Sequence, residues 1–207
     1  MYPYIWLQKF GANMARRNSH PKYSQFRFDT GSLSLNFVAT VRHRGSQPRD
    51  LLSMPESLSK WLHLSGLVAP TASITLKDHK EALLLREAIH DTARSLVLNE
   101  EPSKNDIERI NRAAEFPIAV PQLHIAADSI KWETAHPVNA CLAVIARDAI
   151  TLMGDAERNR LKMCDSNSCQ MLFVDTSPAN RRRWCAMSVC GTRQKVAIHR
   201  QRKSLLG

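Results

Sequence analysis

From about residue 26 onward, the apolar positions fall mostly at helical spacing. In LSLNFVATVRHRG a short apolar run, open to either strand or helix, ends in basic residues and a glycine. Ser53 and Glu56 have the spacing of a capping box, with Leu58, Trp61 and Leu62 as the apolar face behind them and Gly66 as a stop. Asp78 to Leu98 sets Leu85, Ile89, Ala93 and Leu96 on one stripe, and Ser103 with Asp106 opens a further helix that carries Ile107 and Ile110 inward. QLHIAADSIKWET alternates around an Ala-Asp turn and predicts a β-hairpin. Pro137 then opens a long helix with Val138, Cys141, Leu142, Ile145, Ala149 and Leu152 on one face. The polar GDAERNR follows as a hinge.

These patterns predict a mainly α protein in two units, a helical domain with a small β-hairpin over 26–155 and a separate module over 158–207. Residues 1–25 lack periodicity and read as a poorly ordered extension, with Met14 as an alternative start. The apolar Tyr2 to Leu7 stretch is too short for a signal-peptide core, and its basic residues follow it rather than precede it. The most apolar stretch, Val138 to Met153, is interrupted by Arg147 and Asp148, so no run reaches the ~18 uncharged residues of a membrane helix. A cytosolic protein without a membrane partner is expected.

Charge divides the chain more sharply than hydropathy does. The formal net charge is +10, yet residues 158–207 alone hold 11 Lys+Arg against 2 Asp+Glu. Such a density is a solvated tail or a surface for a polyanion.

The same segment holds four of the five cysteines. Cys164 and Cys169 enclose four residues, as do Cys185 and Cys190, and fifteen residues separate the pairs. Disulfides would need an oxidising compartment, and a nucleophilic thiol would not need four partners. Zinc fits best, because four thiolates satisfy it tetrahedrally and leave no open position, which makes one structural Zn²⁺ the expected cofactor. The segment has too few large apolar side chains to fold on packing alone, and metal ligation supplies the deficit. MLFVD, TSPAN and RRRWC read as strand, turn and strand, and TRQKVAIHRQRKSLL as a helix leaving the last ligand, giving a treble-clef-like unit. Lys195, His199 and Arg202 are neighbours on that helix, with Lys203 adjoining. Trp184 is expected to pack the small core.

No phosphate loop, His-Glu-x-x-His, nucleophile elbow or diagnostic carboxylate pair occurs, so no catalytic residue is assigned and an enzyme is not expected. Cys141, in an apolar stripe, reads as a small buried thiol.

MLFVDTSPANRRRWCAMSVCGTR resembles the zinc finger named for its Cys-Gly-Asn-Arg signature. FDTGSLSLNFVATVR and DLLSMPESLSKWLHLSGL resemble the ABATE-type domain that precedes this finger in bacterial proteins described as stress-induced transcription regulators. Two departures stand out. Thr192 replaces the signature Asn, and the usual Leu-Asp-Phe-Val-Asn-Thr appears as Leu35 to Thr40 with Asn36 and Ala39 substituted, marking Asn36 and Thr40 as a candidate ligand site.

The resemblance implies a nucleic-acid-binding regulator. DNA is the expected partner, with RNA or protein as the alternative, and the helical domain is expected to sense a small-molecule effector or to mediate a homodimer. Arg181, Arg182, Arg183, Arg193, Lys195, His199, Arg200, Arg202 and Lys203 are the candidate nucleic-acid contacts.

Overall fold

The computed structural model describes residues 26–67, 74–124 and 129–196. The ambiguous run after Asp29 is a helix, α1 (Leu33–Val38), started by Ser32, whose Oγ accepts from the Leu35 N–H at 3.1 Å. The chain then extends into β1 (Val41–Arg42), which pairs antiparallel with β2 (Arg49–Asp50).

In α2 (Pro55–Leu64) the expected capping box does not form. Pro55, with φ preset for the first helical position, makes Met54 and not Ser53 the N-cap, and Met54 has no side-chain oxygen to accept a capping bond. The box forms instead one helix later, in α3 (Leu76–Leu98), where Thr75 and Asp78 bond each other's backbone N–H groups. α4 (Lys104–Glu115) buries Ile110 but leaves Ile107 39% exposed, so its inward face is narrower than the sequence suggests.

The hairpin forms as β3 (Val120–His124) and β4 (Ser129–Glu133), with Val120 opposite Glu133; its Ala-Asp turn lies outside the described residues. α5 (Pro137–Gly154) buries all six residues of its predicted stripe.

The core gathers α1, α2, α3 and α5 around Trp61, whose ring centroid lies 5.0 Å from that of Phe37. Among the described residues α5 is the one helix long and apolar enough by composition to cross a membrane, but half of that stretch is buried inside the protein. Its only two charges serve its neighbours: Arg147 donates to the Ala114 and Phe116 carbonyls at the end of α4, and Asp148 accepts from the Ser34 N–H in the first turn of α1. Helix ends leave such backbone groups unsatisfied, so both charges act as caps from outside.

The polar stretch after α5 is a 3-10 turn (Ala156–Arg160) that runs straight into β5 (Leu161–Met163), which pairs with β6 (Leu172–Val174). This corrects the expected hairpin. β6 takes its partner from before the first cysteine pair and not from RRRWC, which is irregular. The reason is packing: Leu161, Leu172 and Val174 are buried in the same core cluster as Trp61 and Ile89, so this hairpin is fixed against the helices. The predicted turn through TSPAN does form, with the Asn180 N–H donating to the Ser177 carbonyl at 3.1 Å, but no strand follows it.

The helical body and the hairpin meet closely at two glycines. A Cβ on Gly31, where φ is +96°, would lie 2.8 Å from Val174 Cβ. A Cβ on Gly45, in the β1–β2 connection, would lie 1.8 Å from the Asn167 carbonyl oxygen, between the first two cysteines. The protein is thus mainly helical with small β-hairpins and a C-terminal region of strands and a helix.

Candidate metal centre and nucleic-acid face

The β5–β6 hairpin carries the first cysteine pair in its loop. The Cys164 N–H donates to the Met171 carbonyl at 2.9 Å, and the Cys169 N–H turns back onto Ser166 at 2.8 Å. Gln170, just after the second sulfur, takes φ +50°. That left-handed step completes a tight knuckle aiming both thiols to one side. The second pair is presented differently. Cys185 ends an extended segment, and Cys190 sits in a π-helical turn (Met187–Gly191) that leads into a helix over 192–196. The Asp165 N–H donates to the Arg183 carbonyl at 2.9 Å, which ties the two ligand segments together.

All four sulfurs are buried and lie within 4.8 Å of one another. Cys185 Sγ is 3.8 Å from Cys169 Sγ and 3.8 Å from Cys190 Sγ. A tetrahedral ion with metal–sulfur bonds of about 2.3 Å sets its ligands about 3.8 Å apart. Donor type, burial and spacing therefore suit one closed tetrathiolate zinc site with no position left for water or substrate. Hydrogen bonds with Cys164 and Cys169 and the Arg27 guanidinium pull the Cys185 thiol down, whereas burial and Cys185's own charge push Cys190 up to about 11. Cys141 lies apart in α5, raised to about 11 by burial alone, an inert thiol.

Asp175, the acid of the Leu-Phe-x-Asp strand, organises the segment between the pairs, a role not read from sequence. It is fully buried. Oδ1 accepts from Ser177 Oγ at 2.6 Å and Ser177 N–H at 3.0 Å, and Oδ2 accepts from the Arg182 N–H at 2.7 Å with Lys162 Nζ 3.6 Å away. Burial favours the neutral acid, but these bonds and the lysine outweigh it and hold the carboxyl well below the usual range.

The predicted nucleic-acid contacts separate into groups. Arg182 is turned inward, its Nη2 donating to the Cys185 carbonyl at 2.7 Å and its guanidinium 5.0 Å from the Phe173 ring centroid. Arg183 pairs with Asp165 at 2.6 Å and lies over Trp184, which packs against the cysteine cluster as expected. Arg181, Arg193 and Lys195 are exposed. His199, Arg200, Arg202 and Lys203, with the rest of the predicted basic helix, lie outside the described residues.

Asn36 and Thr40 are buried and hydrogen-bonded within the fold. Asn36 Oδ1 accepts from Thr30 N–H and Oγ1, and the Thr30 carbonyl in turn accepts from the Val174 N–H at 2.7 Å. Thr40 Oγ1 donates to the Phe37 carbonyl and accepts from Arg86, which also grips Asp50 through two bonds of 2.7 Å. Asn36 thus links α1 to β6, and Thr40 links it to α3. Thr192 donates through Oγ1 to the Met187 carbonyl at 3.2 Å, so at the signature position the hydroxyl closes the π-helical turn.

A helical body holding a buried tetrathiolate cluster on a hairpin and a helix start defines a zinc-finger protein. Residues 160–203 match the CGNR zinc finger. Residues 31–156, more than half of the chain, match the ABATE family, described as "Putative stress-induced transcription regulator", and the chain belongs to that family. No curated protein matches the chain.

Proposed function

We propose that this protein is a zinc-dependent, DNA-binding transcription regulator of the cytoplasm, and not an enzyme, whose finger presents cationic side chains to duplex DNA while the helical body receives a signal or mediates assembly. The observation that carries this reading is the concentration of 11 Lys+Arg against 2 Asp+Glu in residues 158–207, on a module whose shape a metal fixes. Arg181, Arg193 and Lys195 are exposed described cations available to phosphates, as is Arg183, whose guanidinium is exposed although it pairs with Asp165. Arg182 belongs to the scaffold. An effector would fit the open cavity of about 520 Å³ between the C-terminal ends of α3 and α5, where Asn99, Asp155 and Arg158 supply polar groups and Leu161 begins β5. RNA or a protein partner is the alternative occupant of the finger.

The test is salt-dependent binding to duplex DNA and single-stranded RNA by fluorescence anisotropy, with zinc content measured in parallel. If ~4 to 6 phosphates are neutralised, log K against log salt has a slope of about −4 to −5. Replacing Arg181, Arg193 and Lys195 with Ala should flatten that slope by about 1 for each phosphate no longer neutralised, with zinc unchanged. An unchanged slope, or preference for the single strand, refutes the DNA reading.

A further inference from the structure

Arg27 lies upstream of both family matches, in the short segment that leads into α1, yet it reaches the metal centre. Its Nη1 donates to Cys185 Sγ at 3.4 Å. Its Nε and Nη2 are both held at 2.6 Å by the two oxygens of Asp29, so the fork is clamped with one free edge facing the sulfur. Its side chain is only 16% exposed.

This placement has a physical purpose. A tetrathiolate zinc centre carries a net charge of about −2, and burying that charge is costly unless donors outside the coordination sphere offset it. Paired with Asp29 the guanidinium is largely neutralised overall, but the N–H it directs at the sulfur is a charge-assisted donor, and N–H···S bonds withdraw electron density from the ligand sulfur. Within the helical body's leading segment, Arg27 is the residue that does this for Cys185.

We propose that Arg27, oriented by Asp29, is a positioning residue of the zinc centre: it hydrogen-bonds the Cys185 thiolate from outside the coordination sphere, so that metal retention by the C-terminal finger depends on a segment more than 150 residues upstream. The inference rests on the zinc assignment and is independent of what the finger binds. The finger and the helical body are thereby coupled through the metal. Whatever displaces the segment around Arg27 loosens zinc, and loss of zinc frees that segment.

The experiment uses the full chain, loaded with zinc and, in parallel, with cobalt(II). Arg27→Met, Arg27→Lys and Asp29→Asn are compared with Ser46→Ala, which removes a different bond between the helical body and the knuckle, to the Ser168 carbonyl. Zinc affinity is read by competition with a chromophoric chelator, and the N–H···S bond by the sulfur-to-cobalt charge-transfer band. Arg27→Met should weaken zinc by about 10-fold or more, the range seen when groups behind a metal ligand are removed, and should move the band to lower energy. Arg27→Lys restores part of the affinity through charge while leaving the band displaced. Should Arg27→Met fail to fold, Asp29→Asn, which keeps the guanidinium but frees its fork, takes its place, with a several-fold loss expected. A folded Arg27→Met, or Asp29→Asn in its place, with zinc affinity within twofold of wild type and an unmoved band overturns the proposal. So does an equal loss in Ser46→Ala, since that would mark a general effect of docking.

Discussion

Replacing Asp175 with Ala should destabilise the finger although the side chain touches no zinc ligand. The carboxylate is fully buried and receives three hydrogen bonds, two of them from the backbone N–H groups of Ser177 and Arg182, which lie in partly buried segments. Leaving a fully buried donor unsatisfied costs about 1–3 kcal/mol, and water can partly satisfy these two, so the pair predicts a loss of about 2 kcal/mol, near the low end of the summed range. The Ser177 hydroxyl can rotate to water, and Lys162 Nζ keeps a bond to the Asn180 carbonyl. Urea unfolding of the zinc-loaded protein at neutral pH and fixed free zinc measures the difference. Asp175→Asn keeps one acceptor and should lose less. The pH dependence has a definite sign: because the folded carboxyl titrates below its unfolded value of about 4, its contribution is complete above that pH and fades as pH falls through the folded value. The gap between wild type and Asp175→Asn should therefore narrow on acidification, a comparison in which zinc loss common to both cancels. A loss below about 1 kcal/mol for Asp175→Ala, or a gap that widens in acid, would refute the hub role.

Two further outcomes follow from the geometry. Cys185→Ser should abolish stoichiometric zinc in elemental analysis and unfold the segment after β6, because that thiol lies beside both Cys169 and Cys190 at the spacing a shared ion requires. Gly45→Ala should destabilise by about 2 kcal/mol or more, since the added carbon meets the Asn167 backbone, whereas Gly154→Ala, with open space around it, should be neutral or slightly stabilising in the same thermal melts.

The pairing of cysteines, their equal gaps and the charge around them were legible in the chain because ligand chemistry is local: a short loop can close two sulfurs on one ion wherever the rest of the chain goes. Helix positions were legible for a similar reason. The stripe from Val138 to Leu152 repeats at 3.6 residues and has only one way to be buried. The start of α2 was not legible because a proline fixes the first helical position two residues after the serine of the Ser-x-x-Glu spacing, and the inward face of α4 was not because periodicity does not say how far a face reaches.

The order of residues alone set the inventory: a metal-binding tetrad, a mostly helical body and a cationic end. Packing chose which strand pairs with β6, which arginines face inward, and what Asn36 and Thr40 are for. Arg182 is turned inward by partners fewer than ten residues away, Phe173 and Cys185, but the docking of the finger on the body depends on bonds between residues more than 100 positions apart, such as Thr30, held by Asn36, with Val174 or Arg27 with Cys185, and no local pattern encodes a partner at that distance. Periodicity tells a segment which of its faces to bury; only the assembled core specifies against what.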